Sequence, residues 1–123
     1  MSTIAVVGAS SHREKFGNKC VRAYLAAGWQ VFPVHPGETA IEGLPVYRRL
    51  ADVPGELDRI SVYLPPALTL ELLGEIAAKG AGEVWLNPGS ADARVLDEAR
   101  RRGLQAVPGC SIVDLGFSPG QFP

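Results

Sequence analysis

Cysteine is scarce in this chain. Its two residues, Cys20 and Cys110, lie far apart and without C-x-x-C spacing, so neither a disulfide framework nor a zinc site is expected, and no metal ligand or catalytic residue is assigned. An excess of charge is missing too: 12 Lys and Arg against 13 Asp and Glu leave a formal net charge of −1. That balance gives no electrostatic footprint for nucleic acid or an anionic membrane surface. No apolar run reaches the roughly 18 residues that a membrane span needs. No basic segment precedes a long apolar core at the N-terminus, so a secretory leader is not expected. These absences point to a cytoplasmic globular chain, and 123 residues suit a single domain, 1–123, with a real core. The oligomeric state is not legible, and a homo-oligomer stays open.

Glycine and proline, by contrast, are plentiful, and they punctuate the chain. The organising stretch comes first. Thr3 to Val7 is a run of apolar and small residues, read as a strand buried on both faces, as happens where helices cover both sides of a parallel sheet. Gly8 breaks the run, a polar loop follows, and then Cys20, Val21, Tyr24 and Leu25 repeat at helical spacing. A strand, a glycine turn and a helix N-terminus together make an anion site. The free N–H groups of the first helical turn point outward, and the helix dipole favours negative charge there.

Three times a helical pattern ends in glycine (Gly28, Gly80, Gly103) and the chain restarts as a strand, near 30–34, 83–86 and 104–107. Asp58 to Leu64 supplies the third of five strands. Leu68, Leu72, Leu73, Ile76 and Ala77 mark one face of the helix that follows Pro65-Pro66. Ser90 is the expected N-cap of the next helix, with Asp92 in its first turn and Arg100, Arg101 and Arg102 in its last. That placement makes the arginines a solvated helix end. Residues 43–54, where a crossover helix would normally lie, read as a short extended piece and a short helical turn. The predicted fold is α/β: a Rossmann-like, doubly wound parallel sheet of about five strands, order 3-2-1-4-5, with helices on both faces.

In such a sheet, ligands bind beyond the carboxyl ends of the strands, where the strand order reverses. That rule alone selects Gly8 to Ser11, His35 to Gly37, Leu64 to Pro66, Asn87 to Ser90 and Gly109 to Ser111. All are rich in Gly, Pro, Ser or Asn, which loops favour in any case. The first loop falls short of G-x-G-x-x-G, since Ala9 and Ser10 follow Gly8 and the next glycine is Gly17. At the end of the second strand, Val34-His35-Pro36 lacks the acid that usually bonds the ribose hydroxyls of NAD, and Glu38 comes only three residues later. His12, Arg13, Lys15 and Lys19 suit phosphate oxygens, or equally a solvated loop. His35, without a partner acid in sequence range, reads as a surface histidine. Cys20 reads as core. Cys110, just past the last strand, is either a thiol facing the cleft or a structural residue.

Val7-Gly8-Ala9-Ser10 with Gly17-Asn18-Lys19, Val31 to Pro36, Gly43 to Tyr47, Leu50 to Pro54, Val62 to Pro66, Gly80 to Leu86 and Gly109-Cys110 follow one another in a specific order. In that order they resemble the CoA-binding domain family, both its small stand-alone members and the N-terminal domain of the succinyl-CoA synthetase α subunit. The resemblance covers nearly the whole chain and implies coenzyme A or an acyl-CoA as ligand. It implies that backbone N–H groups around Gly8, Ala9 and Ser10 take the diphosphate, in a loop that includes Ser11, Lys15, Asn18 and Lys19. Val34, His35 and Pro36, with Tyr63, Leu64, Pro65 and Pro66, would flank the adenosine end. Asn87, Gly89 and Cys110 complete the implied site.

The chain departs from the family pattern at Gly37-Glu38 and at Leu64, where stand-alone members often carry a cation, and at Asn87, where they often carry Gln. Nothing corresponds to the ligase's phosphorylated-histidine domain, so ligase chemistry is not implied. The leading expectation is therefore a CoA-binding protein without catalysis of its own. Two others stand beside it: an NAD(P)-binding redox sensor or oxidoreductase-like domain, and a partner-binding module with a vestigial cleft.

Overall fold

The computed structural model describes residues 1–123. The elements run β1 (Thr3–Val7), α1 (Phe16–Ala26), β2 (Gln30–Val34), β3 (Ala40–Ile41), β4 (Leu44–Pro45), β5 (Arg59–Val62), α2 (Pro66–Lys79), β6 (Glu83–Leu86), α3 (Ala93–Arg101), β7 (Ala106–Pro108) and α4 (Ser111–Asp114). One-turn helices lie at Leu50–Asp52 and Pro119–Gln121. No helix is long and apolar enough to cross a membrane.

β1 lies within the sheet and is buried on both sides, as its unbroken apolar run requires. Ile4 and Val6 enter the layer beneath α1 with Val21 and Tyr24. Ala5 and Val7 point the other way, into the layer formed with Leu73, Ile76 and Val95 of α2 and α3. Each fully buried Leu, Ile or Val contributes about 1.5–3 kcal/mol relative to exposure, so both faces hold the strand ends in fixed positions. The predicted stripe on α2 splits in two. Leu73 and Ile76 are core, whereas Leu68 is 49% exposed and turns to the open end of the sheet.

Five strands pair in parallel in the order β2-β1-β5-β6-β7, so the sheet is doubly wound as expected. The expected order 3-2-1-4-5 would have put the third main strand outside β2. Instead that strand, β5, pairs with β1. The outer edge of β2 is already occupied: Tyr47 N donates to Pro33 O at 3.0 Å and His35 N to Tyr47 O at 3.0 Å. The chain leaving β2 folds into the β3–β4 hairpin, returns along that edge, and crosses to the far side of β1. Order reverses between β1 and β5, and the open crevice forms there.

The N-cap of α3 also differs from expectation. Asp92 caps it, accepting from Val95 N at 3.0 Å, while Ser90 Oγ donates to Asn87 O at 2.7 Å and closes the preceding turn.

Candidate functional site

The site begins where β1 ends. Gly8 has φ +84°, and a Cβ there would lie 2.3 Å from the Tyr63 carbonyl oxygen. A Cβ on Gly17 would lie 2.3 Å from the Gly8 carbonyl oxygen. The ends of β1 and β5 and the N-terminus of α1 therefore meet backbone to backbone, which only glycine permits. Lys15 is the N-cap of α1 and makes no side-chain cap. The amides of Ala9, Ser10, Phe16 and Gly17 find no acceptor within the chain. Four donors around one turn, at a helix N-terminus, make a seat for an anion.

The loop is held from behind. Asn18 Nδ2 donates to Ser10 O at 2.9 Å and to Glu42 at 3.0 Å, and its Oδ1 accepts from Arg22 at 2.7 Å. Ser10 Oγ accepts from His12 N at 3.0 Å, leaving its own proton free to donate. Ser11 N donates to Glu38 at 2.9 Å, and that bond holds the Glu38 carboxyl below the usual carboxylate range.

A cleft of about 880 Å³ opens from this turn, within the size range of small-ligand and cofactor sites. One wall is the end of β2. There His35 Nδ1 accepts from Gly37 N at 2.9 Å and Glu38 N at 3.0 Å, so its Nε2 carries the proton when the ring is neutral. That nitrogen lies 4.0 Å from Glu38. The expectation of a histidine with no acid in range is corrected: the tight turn folds Glu38 back onto it. The other wall runs from Tyr63 along the first half of α2, and Phe16 and Leu68, 57% and 49% exposed, form apolar lips.

Of the residues singled out in the sequence, Gly8, Ala9, Ser10, Lys15, Val34, His35, Pro36, Tyr63, Leu64, Pro65, Pro66 and Gly89 line this cleft. Ser11, Asn18, Lys19, Asn87 and Cys110 are not among its lining residues. Ser11 and Asn18 shape the loop through the bonds just described. Lys19 lies over the Phe16 ring, 5.8 Å from its centroid.

Asn87 is buried and turned inward, donating to Ser61 Oγ at 2.8 Å and Val62 O at 2.9 Å while accepting from Ser111 N at 2.9 Å. It ties β5, β6 and α4 together beneath the cleft. Cys110 is the N-cap of α4 and packs on the hydrophobic layer under α1. Cys20 is core as expected, 3.7 Å from Ser61 Oγ and 3.6 Å from Ser111 Oγ. Burial pushes its thiol up, away from the reactive thiolate. The neighbouring Tyr63 hydroxyl is buried without a partner, and burial raises its pKa too.

Sequence reasoning missed the far end of the cleft, formed by Arg48, Arg49, Glu71 and Glu75. Arg48 Nε donates to Pro36 O at 3.2 Å, and Arg49 pairs with Glu75 at 3.6 Å. No local pattern marks these arginines, because only the return of the chain along β2 brings them to the crevice. Phe16 and Leu68 carried a signal: each is a large apolar residue at a helix start whose core-facing positions are filled by others.

The chain belongs to the CoA binding domain family, whose model matches residues 2–116. It is 32% identical over 108 residues to the alpha subunit of acetate–CoA ligase (ADP-forming) II from Pyrococcus furiosus, an alignment covering 85% of this chain and 23% of that protein. The chain thus spans about a quarter of the length of that relative. Among solved structures, a conserved hypothetical protein from Pyrococcus furiosus superposes with a TM-score of 0.84 at 30% identity, covering 93% of this chain and 99% of that one. The dinucleotide forming acetyl-coenzyme A synthetase 1 of Ca. Korarchaeum cryptofilum, in complex with phosphate and ADP, superposes with a TM-score of 0.76 at 26% identity. That match covers 88% of this chain and 25% of that one.

Proposed function

From membership of the CoA binding domain family, we propose that this chain binds coenzyme A or an acyl-CoA in the cleft at the β1/β5 switch point, and does so without catalysing a reaction itself. The observation that carries the reading is the set of four amides, of Ala9, Ser10, Phe16 and Gly17, left without acceptors around the Gly8 turn. A diphosphate satisfies them together, with the α1 dipole and Lys15 adding to the attraction. The adenosine end then runs past Val34 to Pro36 and the Tyr63–Pro66 segment, and the exposed Phe16 and Leu68 offer apolar contact to the ligand at the cleft mouth.

NAD is the weaker fit, because the end of β2 offers His35 and Pro36 where a dinucleotide site places a carboxylate for the ribose hydroxyls. Glu38 is turned instead to Ser11 N. Two polar side chains of the cleft, His35 and Ser10, are engaged in structural bonds. The His35 Nδ1 lone pair is held by two backbone amides, and Ser10 Oγ is set in its own turn, so neither forms a nucleophile–base pair.

The test is native mass spectrometry of the protein purified without added ligand, followed by addition of CoA, acetyl-CoA and NAD. The expected result is a one-to-one complex with CoA or its thioester and none with NAD at equal concentration. A complex with NAD alone would overturn the reading.

A further inference from the structure

The cleft has a second cationic station apart from the Gly8 turn. Gly8 N donates to Val34 O at 3.2 Å, and Pro36 lies two residues further on, so its carbonyl is within about 7 Å of that contact along the chain. Arg48 Nε is fastened to the Pro36 carbonyl at 3.2 Å, which sets the guanidinium on the cleft rim and leaves its terminal NH2 groups unused. No carboxylate neutralises it. Glu75 is taken by Arg49 and by Ala51 N, at 3.6 and 3.1 Å, and Glu71, the other acid lining the cleft, makes no ion pair with Arg48. Lys15, the remaining lysine or arginine of the cleft, belongs to the α1 end. An anion seat at the turn and a free guanidinium beside the end of β2 therefore line the same cleft.

We propose that Arg48 is the specificity contact for a phosphate monoester on the ligand's ribose, the 3′-phosphate that distinguishes CoA from dephospho-CoA. Arg49, paired with Glu75, plays no part in that choice. The assignment rests on the CoA reading above and adds to it the residue that reads the third phosphate. A guanidinium is suited to this because its planar donors engage two phosphate oxygens at once.

The experiment is isothermal titration of CoA, dephospho-CoA and NADP, whose extra phosphate is on the 2′ position, into the wild type, Arg48→Ala and Arg49→Ala. Circular dichroism melting verifies that both variants fold. The wild type and Arg49→Ala are expected to bind CoA about tenfold more tightly than dephospho-CoA. Arg48→Ala should bring the two ligands to within about twofold while leaving dephospho-CoA affinity unchanged. Preservation of the wild-type ratio in Arg48→Ala would overturn the role of Arg48 and leave the CoA reading standing. Binding of NADP as tight as that of CoA would overturn the assignment to the 3′ position. Failure of the wild type to bind either CoA or dephospho-CoA would overturn the CoA reading and the proposal with it.

Discussion

The two ends of the sheet treat charge in opposite ways. Toward the amino ends of the strands, Arg59 lies between the indoles of Trp29 and Trp85, 5.2 Å from each ring centroid. It donates to the Tyr24 hydroxyl at 3.0 Å and pairs with Glu83 at 2.9 Å and Asp114 at 2.7 Å. Burial works against its charge, but Tyr24 and Asp114 outweigh that and raise its pKa. Burial also pushes the Tyr24 phenol up to about 12, so it stays a neutral donor, here to Ser111 O at 2.9 Å. At the carboxyl ends, four amides have no acceptor and Arg48 has one backbone partner. The charged groups of the Arg59 cluster are spent on one another. Binding capacity follows unsatisfied donors, not charge density.

Breaking the junction at the cleft should have the largest effect, and on folding rather than affinity. Gly8→Val combines a left-handed backbone with a Cβ at 2.3 Å from the Tyr63 carbonyl, so a loss of about 3–5 kcal/mol in urea unfolding is expected. A variant of wild-type stability would show that the junction is looser than described.

Next comes Arg59→Ala, which removes the cation shared by Glu83 and Asp114 and uncovers two indoles. With the Arg59 side chain 16% exposed, we expect a loss of about 2–3 kcal/mol of stability and no change in CoA affinity. A loss of affinity at unchanged stability would erase the distinction between the two ends.

Changes within the cleft should do the reverse. Ser10→Ala should cost about 0.5–1.5 kcal/mol of CoA binding with little effect on melting. Lys15→Ala should weaken binding a few-fold in a manner that salt removes. Lys19→Ala, whose ammonium sits over Phe16 outside the cleft, is the control expected to change nothing. Equal effects of the two lysines would reduce the contact to general attraction.

The smallest effect concerns acid. The Glu38 carboxyl has a folded pKa below its unfolded value because Ser11 N bonds it. Its contribution is therefore present above the unfolded pKa and is lost as pH falls through the folded one. Urea midpoints between about pH 6 and pH 3 should fall less steeply in Glu38→Gln than in the wild type. Parallel curves would remove Glu38 from the account of the loop.

The parts of the fold that the sequence revealed are those encoded locally. Ile4 to Val7 is apolar throughout because both faces are covered, and Gly8 is glycine because the backbone turns against Tyr63 there. Strand order was not legible, since it depends on Tyr47 returning to bond Pro33, a contact between distant segments. The strand-end rule located the cleft but not the direction of each side chain. Asn87 and Cys110 sit at the correct ends and turn into the interior. Arg48 has no local mark because it reaches the cleft only through the same return of the chain that set the strand order.

The central claim, that the open donors around Gly8 seat the diphosphate of CoA, is tested most directly by the melting temperature with CoA and with NAD at equal concentration. A ligand that binds only the folded state stabilises by about 2.7 kcal/mol at a hundredfold excess over Kd, which for a chain of this size raises Tm by about 10 °C. The account predicts such a rise with CoA and none with NAD. A rise with NAD and none with CoA would contradict it.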